Sequence, residues 1–180
     1  SATAADGSLW FADNEVRRIV RVAPDGRTTA YAVADSVGGL AATADGSLWF
    51  TQYASGKIGQ IAPNGALTEY PIPSAPSGPT GIVAGPDGNL WFTERLGNRI
   101  GRIAPSGSID AFAIPSPNSR PGGITKGLDG ALWFIEEGGG RIGRITLAGK
   151  VTEFGVPGAR AKPLAANGAA CQPPGDIAFV

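Results

Sequence analysis

Apolar and polar positions alternate along this chain in short runs, and the runs recur. A Leu-Trp-Phe triplet opens at Leu9, Leu48, Leu90 and Leu132, with steps of 39, 42 and 42 residues. A period near forty is long for a leucine-rich repeat and fits one four-stranded propeller blade. No run is long enough for a helix of ordinary length, so strands are the consistent reading.

Each repeat divides into four runs. The first, around Leu40, Ile82 and Ile124, is rich in Gly and Ala, as suits a crowded innermost strand. It ends in Asp-Gly at 6–7, 45–46, 87–88 and 129–130, which predicts type I′ hairpin turns. The second run is the Leu-Trp-Phe strand. The third, at 18–22, 57–61, 99–103 and 141–145, alternates Ile or Val with Gly or polar residues, so one of its faces is buried. A second turn follows at 24–26, 63–65, 105–107 and 148–149. The fourth run is more polar and is closed by proline, as at Pro71 and Pro157, which is edge-strand composition.

The pattern predicts an all-β β-propeller of four-stranded antiparallel blades. Residues 1–180 form one propeller domain or a propeller fragment, with repeats at about 1–37, 38–78, 79–120 and 121–173. Residues 174–180 resemble the start of a further inner strand, while residues 1–4 match the end of that same strand. The ring is expected to be incomplete or assembled rather than closed at four blades, with self-association through open blade edges.

Composition narrows the reading. The 42% apolar content and four Trp suffice for a sizeable core, and the 28 Gly and 15 Pro fall at fixed phases of the repeat, so they read as turn residues. Net charge is zero and the 15 Lys and Arg are spread over the repeats, which argues against a nucleic-acid partner. No apolar run approaches the roughly 20 residues of a membrane span, so a soluble chain is expected. Met is absent, so a processed or excised chain is expected, and secretion stays open. Cys171 is the one cysteine, in an insertion at about 159–173; a free loop thiol is the default reading and an intermolecular disulfide the alternative.

In a four-stranded meander, the loop after Leu-Trp-Phe and the link to the next repeat share one face, and that face varies. Function is expected there. Asp13, Gln52, Glu94 and Glu136 occupy one phase on it, immediately after the Trp-Phe strand, with Arg95 and Glu137 next in line and Arg18, Arg99 and Arg141 four or five residues on. Carboxylates gathered without cations would attract a hard metal, Glu94 and Glu136 first, whereas carboxylates paired with the arginines would be inert. Pairing is the expected outcome. The ligand-binding candidates are Asp13, Gln52, Glu94, Arg95, Arg99, Glu136, Glu137 and Arg141, and the partner class is a small molecule, peptide or glycan. The four Trp read as inter-blade packing rather than a stacking platform. Gly101 and Gly143 read as sites of close backbone approach and the run at 138–140 as a flexible loop.

The segments at 86–94 (PDGNLWFTE), 98–103 (NRIGRI) and 79–82 (PTGI) resemble the repeat of the virginiamycin B lyase, or streptogramin B lyase, family of β-propellers. The resemblance covers nearly the whole chain. It implies a seven-bladed propeller that opens a cyclic depsipeptide by Mg²⁺-assisted elimination. It also implies a carboxylate just after a Trp-Phe strand, a His two residues beyond, and a further His from another blade. The matching carboxylate positions are Asp13, Glu94 and Glu136, with Gln52 in the second repeat; two residues beyond stand Glu15, Leu96, Gly138 and Ala54. The chain has no His anywhere. The readings kept are a ligand-binding or scaffold propeller, a carbon–oxygen lyase or piece of one with Glu94 and Glu136 as catalytic candidates, and a metal-dependent lactonase-like propeller. At most weak Mg²⁺ binding and no lyase turnover by this chain are expected.

Overall fold

The structure, a computed structural model, describes residues 1–158. Cys171 and the predicted strand at 174–180 lie outside the described residues. The first blade contains β1 (Ala2–Thr3), β2 (Leu9–Asp13), β3 (Arg18–Val22) and β4 (Thr28–Ala32). The second contains β5 (Val37–Ala42), β6 (Leu48–Gln52), β7 (Lys57–Ile61) and β8 (Leu67–Pro71). The third has β9 (Pro79–Ala84), β10 (Leu90–Glu94), β11 (Arg99–Ile103) and β12 (Ile109–Ala113), and the fourth β13 (Pro121–Lys126), β14 (Leu132–Glu136), β15 (Arg141–Ile145) and β16 (Val151–Gly155). Each blade is an antiparallel sheet in chain order, and none of the described residues is helical.

Strand parity explains the Leu-Trp-Phe triplet. Successive side chains point to opposite faces of a sheet, so Leu and Phe go one way and Trp the other. Leu48 and Phe50 pack with Trp10 and Ile19 of the first blade; Leu90 and Phe92 pack with Trp49 and Ile58 of the second; Leu132 and Phe134 pack with Trp91 and Ile100 of the third. Every seam thus joins the Trp face of one blade to the Leu and Phe face of the next. Fully burying each such side chain stabilises the fold by about 1.5–3 kcal/mol. Trp49, Trp91 and Trp133 also stack on Tyr70, Phe112 and Phe154 of the fourth strand, and Trp10 lies tilted against Tyr31, with ring centroids 5.5–5.7 Å apart.

The glycine of the third strand is a seat for the phenylalanine. Phe50, Phe92 and Phe134 lie opposite Gly59, Gly101 and Gly143, where an added Cβ would stand 2.1 Å from the ring. Close approach, as the sequence suggested, is therefore literal. Inner strands crowd in the same way: a Cβ on Gly39 would lie 2.7 Å from the Thr80 carbonyl oxygen, and one on Gly81 the same distance from that of Gly122. Thr51 and Thr93 staple these strands across the seams by donating to the Thr80 and Gly122 carbonyls at 2.6 and 2.7 Å.

The Asp-Gly hairpins correct the expected turn type. Gly7 donates to the Ala4 carbonyl and Ala4 to the Ser8 carbonyl, and Gly7 has φ 80° while Asp6 is not left-handed. The same bonds recur at 43–47, 85–89 and 127–131. These are type I turns followed by a left-handed Gly, the three-residue hairpin loop, not type I′. The reason is the Asp side chain. Asp6, Asp45, Asp87 and Asp129 each turn back to accept the amide two residues on, a local bond that suits ordinary negative φ.

Candidate functional site

On the face that carries the variable loops, the last residue of each second strand lies directly opposite the first residue of the third. The pairs are Asp13 with Arg18, Gln52 with Lys57, Glu94 with Arg99, and Glu136 with Arg141. Facing residues on neighbouring strands can touch, and three pairs form ion pairs: Asp13–Arg18 at 3.0 Å, Glu94–Arg99 at 3.1 Å and Glu136–Arg141 at 3.6 Å. By parity Glu94 and Glu136 share the face of the Leu and Phe, so both point into seams. Gln52, Glu94 and Glu136 are fully buried, whereas Asp13, on the outermost blade, is half-buried.

The seams differ in what they offer. Glu94 accepts from Arg99 and, at 3.0 Å, from the Ser74 hydroxyl in the link between the second and third blades. In the second blade Lys57, opposite neutral Gln52, donates to Glu69 of the fourth strand at 2.7 Å, which holds the Glu69 carboxyl below its usual range. Neither side-chain polar atom of Gln52 has a partner. The fourth blade has acids at both places. Neither Glu136 oxygen has a hydrogen-bond partner, and neither does Arg141 Nε. Burial pushes the Glu136 pKa up; Glu153 of the fourth strand adds to the rise, and the nearby Ser119 hydroxyl and Arg141 guanidinium restrain it.

Sequence reasoning missed Glu69 and Glu153 as members of this cluster. The signal was there, because Thr-Glu followed by an aromatic recurs at 68–70 and 152–154. Arg95 and Glu137, one position further on, form a 2.7 Å ion pair between the third and fourth blades. Tyr53 at the equivalent place lines a pocket of about 160 Å³ with Ile72, Pro76, Ser77 and Leu96 between the loops of the second and third blades. Within the glycine run at 138–140, Gly138 is a site of close approach, since a Cβ there would lie 2.0 Å from the Asn118 carbonyl oxygen.

Magnesium requires near-octahedral oxygen ligands, with one or two carboxylates and retained waters. Glu94 and Glu136 do not fit it as a shared pair of ligands. Glu94 and Glu136 lie in different seams, each beside a guanidinium, and among the described residues no three His, Cys, Asp or Glu side chains converge.

Antiparallel four-stranded blades packed face to face in series, with loops and carboxylates gathered on one side, define a β-propeller with the strand ends as its candidate site. The particular kind follows from comparison. The chain belongs to the virginiamycin B lyase family, whose model matches residues 2–172. It is similar to the crystal structure of virginiamycin B lyase from Staphylococcus aureus, at 41% identity and TM-score 0.84, over 87% of this chain and 54% of that one. A streptogramin B lyase structure matches at 37% identity and TM-score 0.82, over 85% and 52%. A gluconolactonase from Xanthomonas campestris, at 20% identity and TM-score 0.67 over 87% and 61%, shares the fold. The chain spans about half the length of the lyases it matches. No curated protein matches it significantly.

Proposed function

We propose that this chain is a ligand-binding propeller surface, holding a small molecule or peptide on its loop face without breaking a bond in it. The observation that carries this reading is the state of the two carboxylates at the family's motif positions. Glu94 and Glu136 are fully buried and set beside guanidinium groups, in seams rather than open to a substrate on the loop face. General acid–base chemistry needs a positioned group within reach of the reacting proton, and the chain has no imidazole to supply one. In the Staphylococcus aureus relative, a histidine-to-alanine variant crystallised with quinupristin is catalytically inactive, which supports the same conclusion for a chain without His.

The test is to incubate the 180-residue chain with a cyclic depsipeptide and Mg²⁺, separate cyclic and ring-opened isomers by chromatography, and titrate binding by calorimetry. Saturable binding with the ring intact is expected. Ring opening that is lost on Glu94→Gln or Glu136→Gln would overturn the proposal. A second reading rests on the chain spanning about half the length of its lyase relatives: this arc is the ligand-holding part of a longer lyase whose imidazole groups lie elsewhere. Ring opening by a longer polypeptide containing this segment, with none by the segment alone, favours that reading.

A further inference from the structure

Two of the links between blades follow one backbone course over the loop face. In the link at 72–79, Ile72 donates to the Gly56 carbonyl and Leu96 to that of Ser77; in the link at 114–121, Ile114 donates to Asn98 and Gly138 to Ser119. Gly56 and Asn98 are both left-handed, with φ 64° and 55°, a conformation that Asn tolerates better than most side-chain-bearing residues. The Asn98 amide plugs its link: it donates to the Ile114 and Ser116 carbonyls and accepts from the Ser119 amide, at 2.7–3.2 Å. Ser119 completes the plug by donating to the Ser116 carbonyl at 2.8 Å. Gly56 supplies no side chain at the equivalent point. A Cβ there would stand 2.8 Å from the hydroxyl oxygen of buried Ser77, which thus lies where the stem of an asparagine would run.

Beside this missing plug is the pocket of about 160 Å³ between the loops of the second and third blades. Its apolar walls are Tyr53, Ile72, Pro76 and Leu96, its polar side chains are the hydroxyls of Tyr53, Ser55 and Ser77, and among the described residues no charged side chain lines it. Leu96 stands where the later seam has Gly138. It packs over Gly78, where a Cβ would lie 2.7 Å from its Cγ, yet it is 55% exposed, so apolar surface is left at the pocket's edge. An apolar cavity of about 150 Å³ can hold one benzene molecule, so the volume suits a single six-membered ring. An ionised group would give up its water here with no opposite charge to meet it.

We infer that this pocket takes one uncharged aromatic ring of a ligand held on the loop face, seated against Tyr53 and Leu96, with the Ser77 hydroxyl serving a polar substituent. Apolar walls with a few fixed polar groups are the make-up of small-molecule sites, and the Tyr53 ring adds aromatic pairing to simple burial. The inference rests on the ligand-binding reading of that face and adds the class of group recognised there.

The test titrates N-acetylphenylalanine amide into the full 180-residue chain and follows backbone amide shifts by NMR, with N-acetylaspartate amide and N-acetyllysine amide as charged counterparts. Saturable shifts at Gly56, Ser77 and Leu96 are expected, with a roughly millimolar dissociation constant for a probe of this size. The charged amides should bind about 10-fold more weakly or worse. Gly56→Asn restores the plug, with Ser77 turned aside as Ser119 is, and should weaken the phenylalanine probe by about 10-fold or more; Leu96→Asp, at an exposed position, should weaken it by a similar factor without burdening the fold. No saturable shift at these amides, equal binding of the charged amides, or undiminished binding by both variants would overturn the inference. Calorimetry with the cyclic depsipeptide separates the two readings. Depsipeptide binding without ring binding overturns the pocket alone, and ring binding without depsipeptide binding upholds the pocket.

Discussion

The third and fourth blades place the same clamp at the same phase and fill it with different charge. At the end of the second strand, the start of the third and the middle of the fourth stand Glu94, Arg99 and Ala111 in one, and Glu136, Arg141 and Glu153 in the other. The third blade has one acid for one cation, closed at 3.1 Å and backed by Ser74. The fourth has two acids for one cation, and its ion pair is looser at 3.6 Å. The second blade, with Gln52, Lys57 and Glu69, is balanced like the third but with the acid on the other strand. The lesson is that a buried carboxylate at a family's motif position takes its properties from the count of charges around it. Where the count balances it is a clamp, and where it does not its proton is held more tightly.

The largest effect expected from this difference follows from removing the cation. Arg141→Met strands Glu136, whose oxygens have no hydrogen-bond partner, beside Glu153, which keeps the Ser116 amide, and should cost about 3 kcal/mol in urea unfolding, the low end of what stripping a buried charge of its partner costs. Arg99→Met should cost about 2 kcal/mol, because Ser74 still donates to Glu94. Equal losses would break the comparison.

Acidity sharpens it next. Folding raises the Glu136 pKa above its ordinary 4.5, so the folded chain binds that proton more tightly than the unfolded chain does. The resulting stability is fully present below pH 4.5 and is lost as pH rises through the raised value. Glu136→Gln has no such loss. The stability of Glu136→Gln relative to the unaltered chain, followed by urea unfolding from pH 4 upward, should therefore climb across that window. A flat difference would show that Glu136 does not titrate differently in the fold. Smallest is the response to metal: saturating Mg²⁺ should move the melting temperature by less than about 1 °C, because a ligand shifts stability only as far as it binds the folded state. A rise of several degrees, lost on Glu94→Gln, would contradict the clamp.

Much of this was legible in the sequence. The period, the four strands per blade, the close approach at Gly101 and Gly143 and the pairing of Glu94 with Arg99 and Glu136 with Arg141 all follow from local phase and spacing. The turn type was misread because Asp-Gly satisfies two hairpin geometries, and the choice lay with the Asp carboxylate accepting the amide two residues on. Glu69 and Glu153 were passed over because the fourth strand reads as a polar edge. Only the register that sets Gly59 opposite Glu69 and Gly143 opposite Glu153 turns them toward the site.

The most direct test is the unfolding free energy of Glu94→Gln against that of Glu136→Gln at neutral pH. Glu136→Gln recreates the second blade's balanced set, an amide, a cation and a fourth-strand acid, and should change stability by less than about 0.5 kcal/mol or increase it. Glu94→Gln removes the acidic partner of Arg99 and should lose about 1–3 kcal/mol, the cost of an unmatched hydrogen-bonding group. A loss at Glu136 equal to or larger than the loss at Glu94 would contradict the account.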